Sequence, residues 1–281
     1  MLHVDHPTIV KLVRTYKDPK RIYFLLEYVH GLELSVILKY VGLLSDTDSQ
    51  FYIASLIYVL QYLHERDIIY RDLKPENVMV DSSGYVKLID FGSAKIVQSR
   101  TYTLVGTPHY MAPEVIVGKG YGKFADLWSL GICLYEFLCG GVPFGEDEED
   151  PYAIYEQILD MALEYVNVDP NNFPARPFIE QLLNKIPEMR SGGSFDSLRK
   201  HEWLQNFDWE NLGSQKLTPP YTPDVGDAPG ESEEDEEERR PGKWDALLSQ
   251  LSAESEDTAQ IDDAELEAFK QTIPANWDEA F

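Results

Sequence analysis

The chain has 281 residues, of which 43% are hydrophobic, and its 49 Asp and Glu against 24 Lys and Arg give a formal net charge of −25. This much apolar sequence suffices for one large domain or two smaller ones. The acidity argues against nucleic-acid-binding and membrane-surface proteins, which depend on clustered Lys and Arg, and it favours basic peptide partners.

The sequence shows no sign of secretion or membrane insertion. Residues 1–20 mix charges into the apolar positions, unlike the basic start and apolar run of a signal peptide. The longest uncharged stretch, residues 49–64, is shorter than the roughly 20 apolar residues that a membrane span needs. Cys133 and Cys139 are too few for a disulfide framework or a four-ligand zinc site. We therefore expect a cytoplasmic protein without a membrane span.

The apolar pattern changes from strands to helices along the chain. Ser45, with Asp48 three residues later, forms a capping-box pattern that predicts the start of a helix. The apolar run that follows, residues 51–63, is hydrophobic nearly all round, which is typical of a core helix. The other predicted elements are strands at residues 9–14, 22–29, 77–80 and 85–89, and helices from Gly118 to about Phe207.

The C-terminal part of the chain is strongly acidic. Residues 224–281 contain 19 Asp and Glu and 4 Lys and Arg, a net charge of −15. The run at residues 231–238 (ESEEDEEE) repels itself and cannot bury apolar area, so it predicts a disordered acidic linker. Beyond it, apolar residues recur at helical spacing and predict one short amphipathic helix: Trp244, Leu247, Leu248 and Leu251.

The strongest functional signal is at residues 69–80, IYRDLKPENVMV, which match the [H/Y]-R-D-L-K-x-x-N pattern of a protein-kinase catalytic loop. Phosphoryl transfer needs positioning and charge neutralisation, which a carboxylate, a cation and an amide on one short loop provide. In isolation, an Arg-Asp pair is more often an ordinary surface turn. The full pattern predicts that Asp72 accepts or orients the proton of the attacking hydroxyl, that Lys74 neutralises the transferred phosphoryl group and that Asn77 holds a magnesium ion.

Three further motifs follow in the expected order. Asp90-Phe91-Gly92 comes thirteen residues after Asn77, and its Asp90 would bind the magnesium ion that bridges the phosphates. Residues 106–114 (GTPHYMAPE) and 126–131 (DLWSLG) come next. Together the four motifs resemble a eukaryotic protein kinase. The resemblance implies ATP and Mg²⁺ as cofactors.

Finer features resemble the cyclic-nucleotide-dependent (AGC) group of Ser/Thr kinases, and most of all the protist cGMP-dependent protein kinases. They are Tyr70 before Arg71, residues 100–106 (RTYTLVG), the acidic tail and the final W-D-x-x-F at residues 277–281. A cAMP-dependent catalytic subunit is the nearest alternative. The resemblance implies an α+β, protein-kinase-like fold, with an N-lobe remnant and hinge strand at residues 1–28, a mainly helical C-lobe at residues 29–207 and an acidic, partly disordered tail at residues 208–281.

The resemblance also implies an ATP site. Leu26 matches the gatekeeper position, and the backbones of Glu27 and Val29 match the hinge groups that bond adenine. Met79 matches the floor of the adenine pocket, and Glu33 matches a carboxylate near both the ribose and the substrate. As strand residues, these positions also suit an ordinary core.

A substrate site follows from the same resemblance. Glu76 and Glu136 match carboxylates that bind arginines ahead of the target Ser or Thr, which predicts basic substrates. Leu104 and Met111 match the pocket for the residue after the target. His109 departs from the Glu common in the family, so we expect weaker recognition of more distant arginines.

One regulatory site and several structural residues complete the resemblance. Thr103 matches the activation-loop phosphorylation site, where a phosphate would pair with Arg71 and Lys95. An unmodified, exposed threonine is the alternative. The residues with expected structural roles are Arg71, Glu114, Asp126 and Arg190, with Glu114 and Arg190 forming a buried ion pair.

The 281 residues lack three kinase features: a G-x-G-x-x-G loop, the strand Lys that grips the phosphates and its helix Glu. Cyclic-nucleotide-binding domains are also missing from them, so any cyclic nucleotide would act through domains outside this sequence. Two interpretations follow: an N-terminally truncated piece of a longer enzyme, or a pseudokinase or interaction module. The intact Asp72, Asn77 and Asp90 favour the first. We expect these 281 residues alone to be poorly active.

Overall fold

The computed structural model describes residues 4–17, 21–169, 172–192 and 194–223. The described residues divide into two compact units, one of residues 11–28 and one of residues 4–10 and 29–223. The acidic linker and the amphipathic helix expected near Trp244 lie outside the described residues.

The smaller unit is an antiparallel hairpin of β1 (Leu12–Lys17) and β2 (Ile22–Leu26). It confirms the two predicted strands, although β2 ends at Leu26 and not at residue 29. In addition, β1 begins three residues later than expected. The reason lies at Ile9 and Val10, which are buried in the larger unit. Ile9 forms a bridge with Leu88, and the Val10 amide donates a hydrogen bond of 3.0 Å to the Leu88 carbonyl.

Helices dominate the larger unit. Its described α-helices are α1 (Leu34–Val41), α2 (Asp46–His64), α3 (Pro113–Val117), α4 (Phe124–Cys139), α5 (Pro151–Asp160), α6 (Arg176–Leu182), α7 (Phe195–Arg199) and α8 (Trp209–Gly213). Short 3-10 helices occur at Pro75–Asn77, Pro108–Tyr110, Pro187–Met189 and Glu202–Leu204. None of the described helices combines the length and apolar character needed to cross a lipid bilayer.

The strands of this unit form two small sheets. Strands β3 (Gly31–Glu33), β5 (Val78–Asp81) and β6 (Val86–Leu88) form an antiparallel sheet in that order, and β4 (Ile68–Ile69) pairs with β7 (Lys95–Ile96). The predicted strands near residues 77–80 and 85–89 are therefore confirmed as β5 and β6.

The core of the larger unit is built on α2 and α4. Ser45 caps α2 as predicted, because its hydroxyl accepts a hydrogen bond of 3.1 Å from the Asp48 amide and donates one of 2.7 Å to the Asp48 carboxylate. The two helices pack together, with the Tyr52 and Phe137 rings edge to face at 6.3 Å. The buried helices support the loop of residues 70–77, which runs from β4 to β5.

Candidate active site

The loop between β4 and β5 brings three predicted residues together around one carboxylate, that of Asp72. Its Oδ2 atom accepts a hydrogen bond of 3.0 Å from the Asn77 side-chain amide and lies 3.6 Å from Lys74 Nζ. Its Oδ1 atom accepts two hydrogen bonds from Thr107, one of 3.0 Å from the backbone amide and one of 2.9 Å from the hydroxyl. Three hydrogen bonds from Asn77 and Thr107, together with the nearby Lys74 ammonium group, therefore fix the orientation of this half-buried carboxylate.

Thr107 is a site residue to which the sequence assigns no role. Lys74 Nζ donates a hydrogen bond of 2.7 Å to the Thr107 hydroxyl, so Thr107 links the ammonium group to the carboxylate of Asp72. The neighbouring Gly106 permits this approach: its φ is +122°, and a Cβ there would lie 2.8 Å from the Arg71 carbonyl oxygen. The available signal was the position of Thr107 directly after a glycine in the motif at residues 106–114.

Asn77 and Asp90 are held next to each other by the backbone. The Asn77 amide group donates to Asp72 at both its carbonyl, at 2.8 Å, and its carboxylate, which leaves the Asn77 side-chain oxygen as an acceptor. The Ile89 amide donates a hydrogen bond of 3.0 Å to the Asn77 carbonyl. Asp90 is the next residue after Ile89, so this bond keeps the exposed Asp90 close to Asn77. Asp90 has a φ of +50°, and its Oδ1 atom accepts a hydrogen bond of 2.9 Å from the Gly92 amide.

Asp126 at the start of α4 holds the beginning of the loop of residues 70–77. It is fully buried and accepts hydrogen bonds from the backbone amides of Tyr70, at 2.9 Å, and Arg71, at 2.8 Å. His64 Nε2 lies 2.7 Å from the same carboxylate. Arg71 has a φ of +71°, so these bonds stabilise a backbone conformation that an arginine rarely adopts. His64 went unpredicted because nothing in its local sequence marks a partner 62 residues away.

The Arg71 side chain reaches the activation segment, residues 90–114. Its Nε atom donates to the Ser93 carbonyl, and Nη1 lies 3.4 Å from the Tyr121 hydroxyl, to which it donates. That hydroxyl in turn donates a hydrogen bond of 2.7 Å to the Thr103 carbonyl. The Thr103 side chain is half-buried, and Lys95 lies on β7.

The end of the activation segment is anchored by Glu114 and Arg190, which the structure brings together. Arg190 is fully buried and donates two parallel hydrogen bonds, of 2.6 Å and 2.7 Å, to the two carboxylate oxygens of Glu114. It also donates to the carbonyls of Asn184, at 2.8 Å, and Phe124, at 2.9 Å, and its guanidinium carbon lies 5.1 Å from the centre of the Trp128 ring. This bidentate geometry is the strongest form of the Arg–carboxylate pair.

Two of the predicted substrate carboxylates interact electrostatically. Glu136 on α4 accepts a hydrogen bond of 2.7 Å from the Tyr110 hydroxyl. Burial raises the pKa of Glu136 to about 7. The hydrogen bond from Tyr110 lowers this pKa, whereas the negative charges of Glu76 and Glu146 raise it. Glu76 itself is exposed on the 3-10 turn. Glu136 is therefore poised to change its charge near neutral pH.

The other predicted substrate residues differ in exposure. Leu104 is 58% exposed, whereas Met111 is buried beside Gly106. His109 lies with its Nε2 atom 2.9 Å from the Gly145 carbonyl oxygen. A backbone group therefore occupies one ring nitrogen of His109.

The predicted ATP residues are distributed over both units. In the larger unit, Glu33 pairs with Met79 across β3 and β5, and its carboxylate accepts a hydrogen bond of 2.9 Å from the Ser35 hydroxyl. Val29 belongs to the same unit and is half-buried. In the hairpin, Leu26 is 38% exposed, and the Glu27 amide donates a hydrogen bond of 2.9 Å to the Lys11 carbonyl.

Comparison with known proteins gives a family and several relatives. Residues 1–204 match the model of the protein kinase domain. A cGMP-dependent protein kinase from Toxoplasma gondii is 50% identical over 226 residues, which are 79% of this chain and 23% of that protein. Its counterpart in Plasmodium berghei is 51% identical over 223 residues, 77% of this chain and 26% of that protein. The cAMP-dependent protein kinase catalytic subunit PRKX of Mus musculus is 36% identical over 274 residues, 95% of this chain and 71% of that protein.

These matches confirm the predicted α+β, protein-kinase-like fold and the resemblance to the cyclic-nucleotide-dependent group. The chain spans about a quarter of the length of the two cGMP-dependent kinases.

Proposed function

The chain belongs to the protein kinase family, and we propose that it supplies the catalytic residues of a cGMP-dependent-like Ser/Thr kinase. The reaction transfers the γ-phosphoryl group of ATP to a Ser or Thr hydroxyl in an Arg- or Lys-rich context. The observation that carries the proposal is the Asp72 carboxylate, oriented by Thr107 and Asn77 with the Lys74 ammonium 3.6 Å away.

The two oxygens of Asp72 have different tasks in this proposal. Oδ1 is occupied by the amide and hydroxyl of Thr107, which fix the side-chain torsion angles. Oδ2 accepts one hydrogen bond from the Asn77 amide, and its second lone pair orients the substrate hydroxyl and takes its proton. Lys74 neutralises charge on the transferred phosphoryl group, and its bond to Thr107 keeps the ammonium beside the carboxylate.

The proposed magnesium site uses Asn77 and Asp90. Because the Asn77 amide hydrogens face Asp72, the Asn77 side-chain oxygen is left for a cation. Asp90 adds a carboxylate, since it directly follows Ile89, whose amide is bonded to the Asn77 carbonyl. Mg²⁺ is commonly held by one or two protein oxygens together with substrate phosphates, so this donor set suits it. When bound, the ion neutralises phosphate charge.

The remaining assignments concern the two substrates. For ATP, we propose Leu26 as gatekeeper, the backbones of Glu27 and Val29 as adenine partners and Met79 as the pocket floor. For the protein substrate, Glu33, Glu76 and Glu136 bind basic side chains, and Leu104 and Met111 contact the residue after the target. Arginine favours such sites because its planar guanidinium pairs with a carboxylate through two hydrogen bonds.

Regulation and location complete the proposal. Phosphorylation of Thr103 would add a charged partner for Arg71 and Lys95 and so order the activation segment. Cyclic GMP would act through domains outside this sequence. We propose dependence on cGMP in preference to cAMP, because the identity to the two cGMP-dependent kinases, 50% and 51%, is higher than the 36% identity to PRKX. The two buried free thiols, Cys133 and Cys139, suit a reducing cytoplasmic environment.

The proposal predicts a defined substrate preference. The full-length protein should phosphorylate a peptide with two arginines ahead of a serine, and far less its tyrosine analogue. Replacing either arginine by alanine should lower kcat/KM about tenfold to a hundredfold, the worth of a charge-assisted hydrogen bond. Radiolabel transfer from ATP measures both, with cGMP and cAMP compared at equal concentration. A transfer rate that does not change when the arginines are replaced would contradict the proposal. Stronger stimulation by cAMP than by cGMP would favour a cAMP-dependent kinase.

The raised pKa of Glu136, about 7, predicts a pH-dependent peptide affinity. As the pH falls from 8 to 6 the carboxylate gains a proton, so the KM of the arginine peptide should rise about tenfold. The variant Glu136→Gln should show the higher KM throughout this range. The raised pKa also has a consequence for stability. The contribution of Glu136 to the free energy of unfolding should be full at acid pH and be lost as the pH rises from about 4.5 to about 7, and E136Q should lack this contribution. A flat KM profile in the wild type would refute this role.

A further inference from the structure

Tyr121 joins the activation segment to the loop before α4. This side chain is 3% exposed. Its backbone exchanges two hydrogen bonds of 2.9 Å with Thr101, one in each direction. Its hydroxyl donates the 2.7 Å bond to the Thr103 carbonyl. Residues 101 and 103 are therefore both tied to one tyrosine.

The same hydroxyl contacts the catalytic loop. It accepts from Arg71 Nη1 at 3.4 Å while it donates to Thr103, which uses both hydrogen-bonding capacities of a phenol. Arg71 directly precedes Asp72, and its backbone amide is fixed by Asp126. The Tyr121 hydroxyl thus forms a direct connection between the activation segment and the residue next to the proposed base.

A second tyrosine, Tyr102, contacts the residue before Tyr121. Gly120 has a φ of +84°, and a Cβ at this position would lie 2.7 Å from the ring of Tyr102. The ring of Tyr102 therefore lies directly over the backbone of Gly120. In addition, burial raises the pKa of Tyr121, so its hydroxyl keeps the proton that it donates to Thr103.

We infer that Tyr121 is a positioning residue, which aligns the activation segment with the Arg71–Asp72 loop while Thr103 carries no phosphate. The inference rests on the proposed kinase function and deepens it. A phosphate on Thr103 would pair with Arg71 through charge-assisted bonds about twice as strong as neutral ones. The hydroxyl of Tyr121 should then matter mainly in the unphosphorylated protein.

A double-mutant cycle tests this dependence in the full-length protein. We expect Tyr121→Phe to lower kcat about three- to tenfold when Thr103 is replaced by alanine, the worth of one buried hydrogen bond. With Thr103 phosphorylated, as verified by mass spectrometry, the loss should stay below about twofold. The KM of the peptide should change little in both backgrounds, because Tyr121 does not touch the substrate carboxylates.

Tyr85→Phe is the matched control. The Tyr85 hydroxyl also donates to a backbone carbonyl, that of Leu217, at 2.8 Å, and its ring is also buried. In both backgrounds, the kcat of Y85F should equal the kcat of the protein that keeps Tyr85. Hydrogen exchange provides a readout that needs no activity: amides of residues 97–107 should exchange faster in Y121F than in Y85F.

Each outcome has a distinct meaning. Equal losses of kcat in both backgrounds, or unchanged exchange at residues 97–107, would overturn the inference and leave Tyr121 as a packing residue. Absence of transfer by the phosphorylated wild-type protein would instead overturn the proposed function. In that case the exchange comparison still decides whether Tyr121 orders the activation segment.

Discussion

The variant Asp72→Asn is expected to lose about a thousandfold or more in phosphoryl transfer, the upper range for removal of a general base. The amide has nearly the shape of the carboxylate, so the loop should keep its backbone. Its oxygen can still accept from Thr107, but its NH₂ group then faces the donors of Asn77 and Lys74. Proton acceptance and side-chain orientation are therefore lost together.

Single-turnover transfer from Mg-ATP by the full-length protein measures the effect, and ATP affinity should change little. Asp81→Asn is a matched control, since Asp81 accepts hydrogen bonds in the turn after β5 and has no role in the proposed mechanism. A D72N protein that keeps more than about a tenth of the wild-type rate would exclude Asp72 as the base.

Replacing Arg190 by Leu is expected to lower the free energy of unfolding by about 3–5 kcal/mol, the cost of removing one partner from a buried ion pair. The carboxylate of Glu114 would lose both of its guanidinium bonds, and the carbonyls of Asn184 and Phe124 would lose a donor. Because Glu114 ends the activation segment, this segment should also become more sensitive to proteases.

Urea unfolding of the 281-residue chain measures the loss, with Arg176→Leu as the control. Arg176 forms a pair with Glu180, one helical turn away, but both side chains are about half exposed, at 50% and 49%. Water and salt screen such a pair, so its loss should leave the urea midpoint unchanged. Equal midpoints for R190L and R176L would show that the buried pair does not stabilise the fold.

Local patterns in the sequence were reliable where neighbouring residues determine the structure. The cap at Ser45 and the strands β5 and β6 depend on contacts within a few residues, and they were predicted correctly. The start of β1 was misplaced, because Ile9 pairs with Leu88, almost 80 residues away, and the apolar pattern alone does not reveal that partner.

The same distinction applies to the site. Asp72, Lys74 and Asn77 lie on one short loop, so a sequence motif brings them together. Thr107 and Tyr121 reach the loop across 35 and 50 residues, and His64 reaches Asp126 across 62. The raised pKa of Glu136 could not be predicted from the sequence either, since it depends on burial by residues from several elements.

The bond from Asp126 to the catalytic loop also bears on how the protein is made. Asp126 follows Arg71 by 55 residues in the sequence. Because protein synthesis adds about 5–20 residues per second, Asp126 is made roughly 3 to 11 s after Arg71. Until then, the Arg71 backbone amide lacks the carboxylate that stabilises its left-handed conformation, which costs on the order of 1–3 kcal/mol. In a nascent chain, the loop of residues 70–77 therefore gains this stabilisation only after the first turn of α4 has been synthesised.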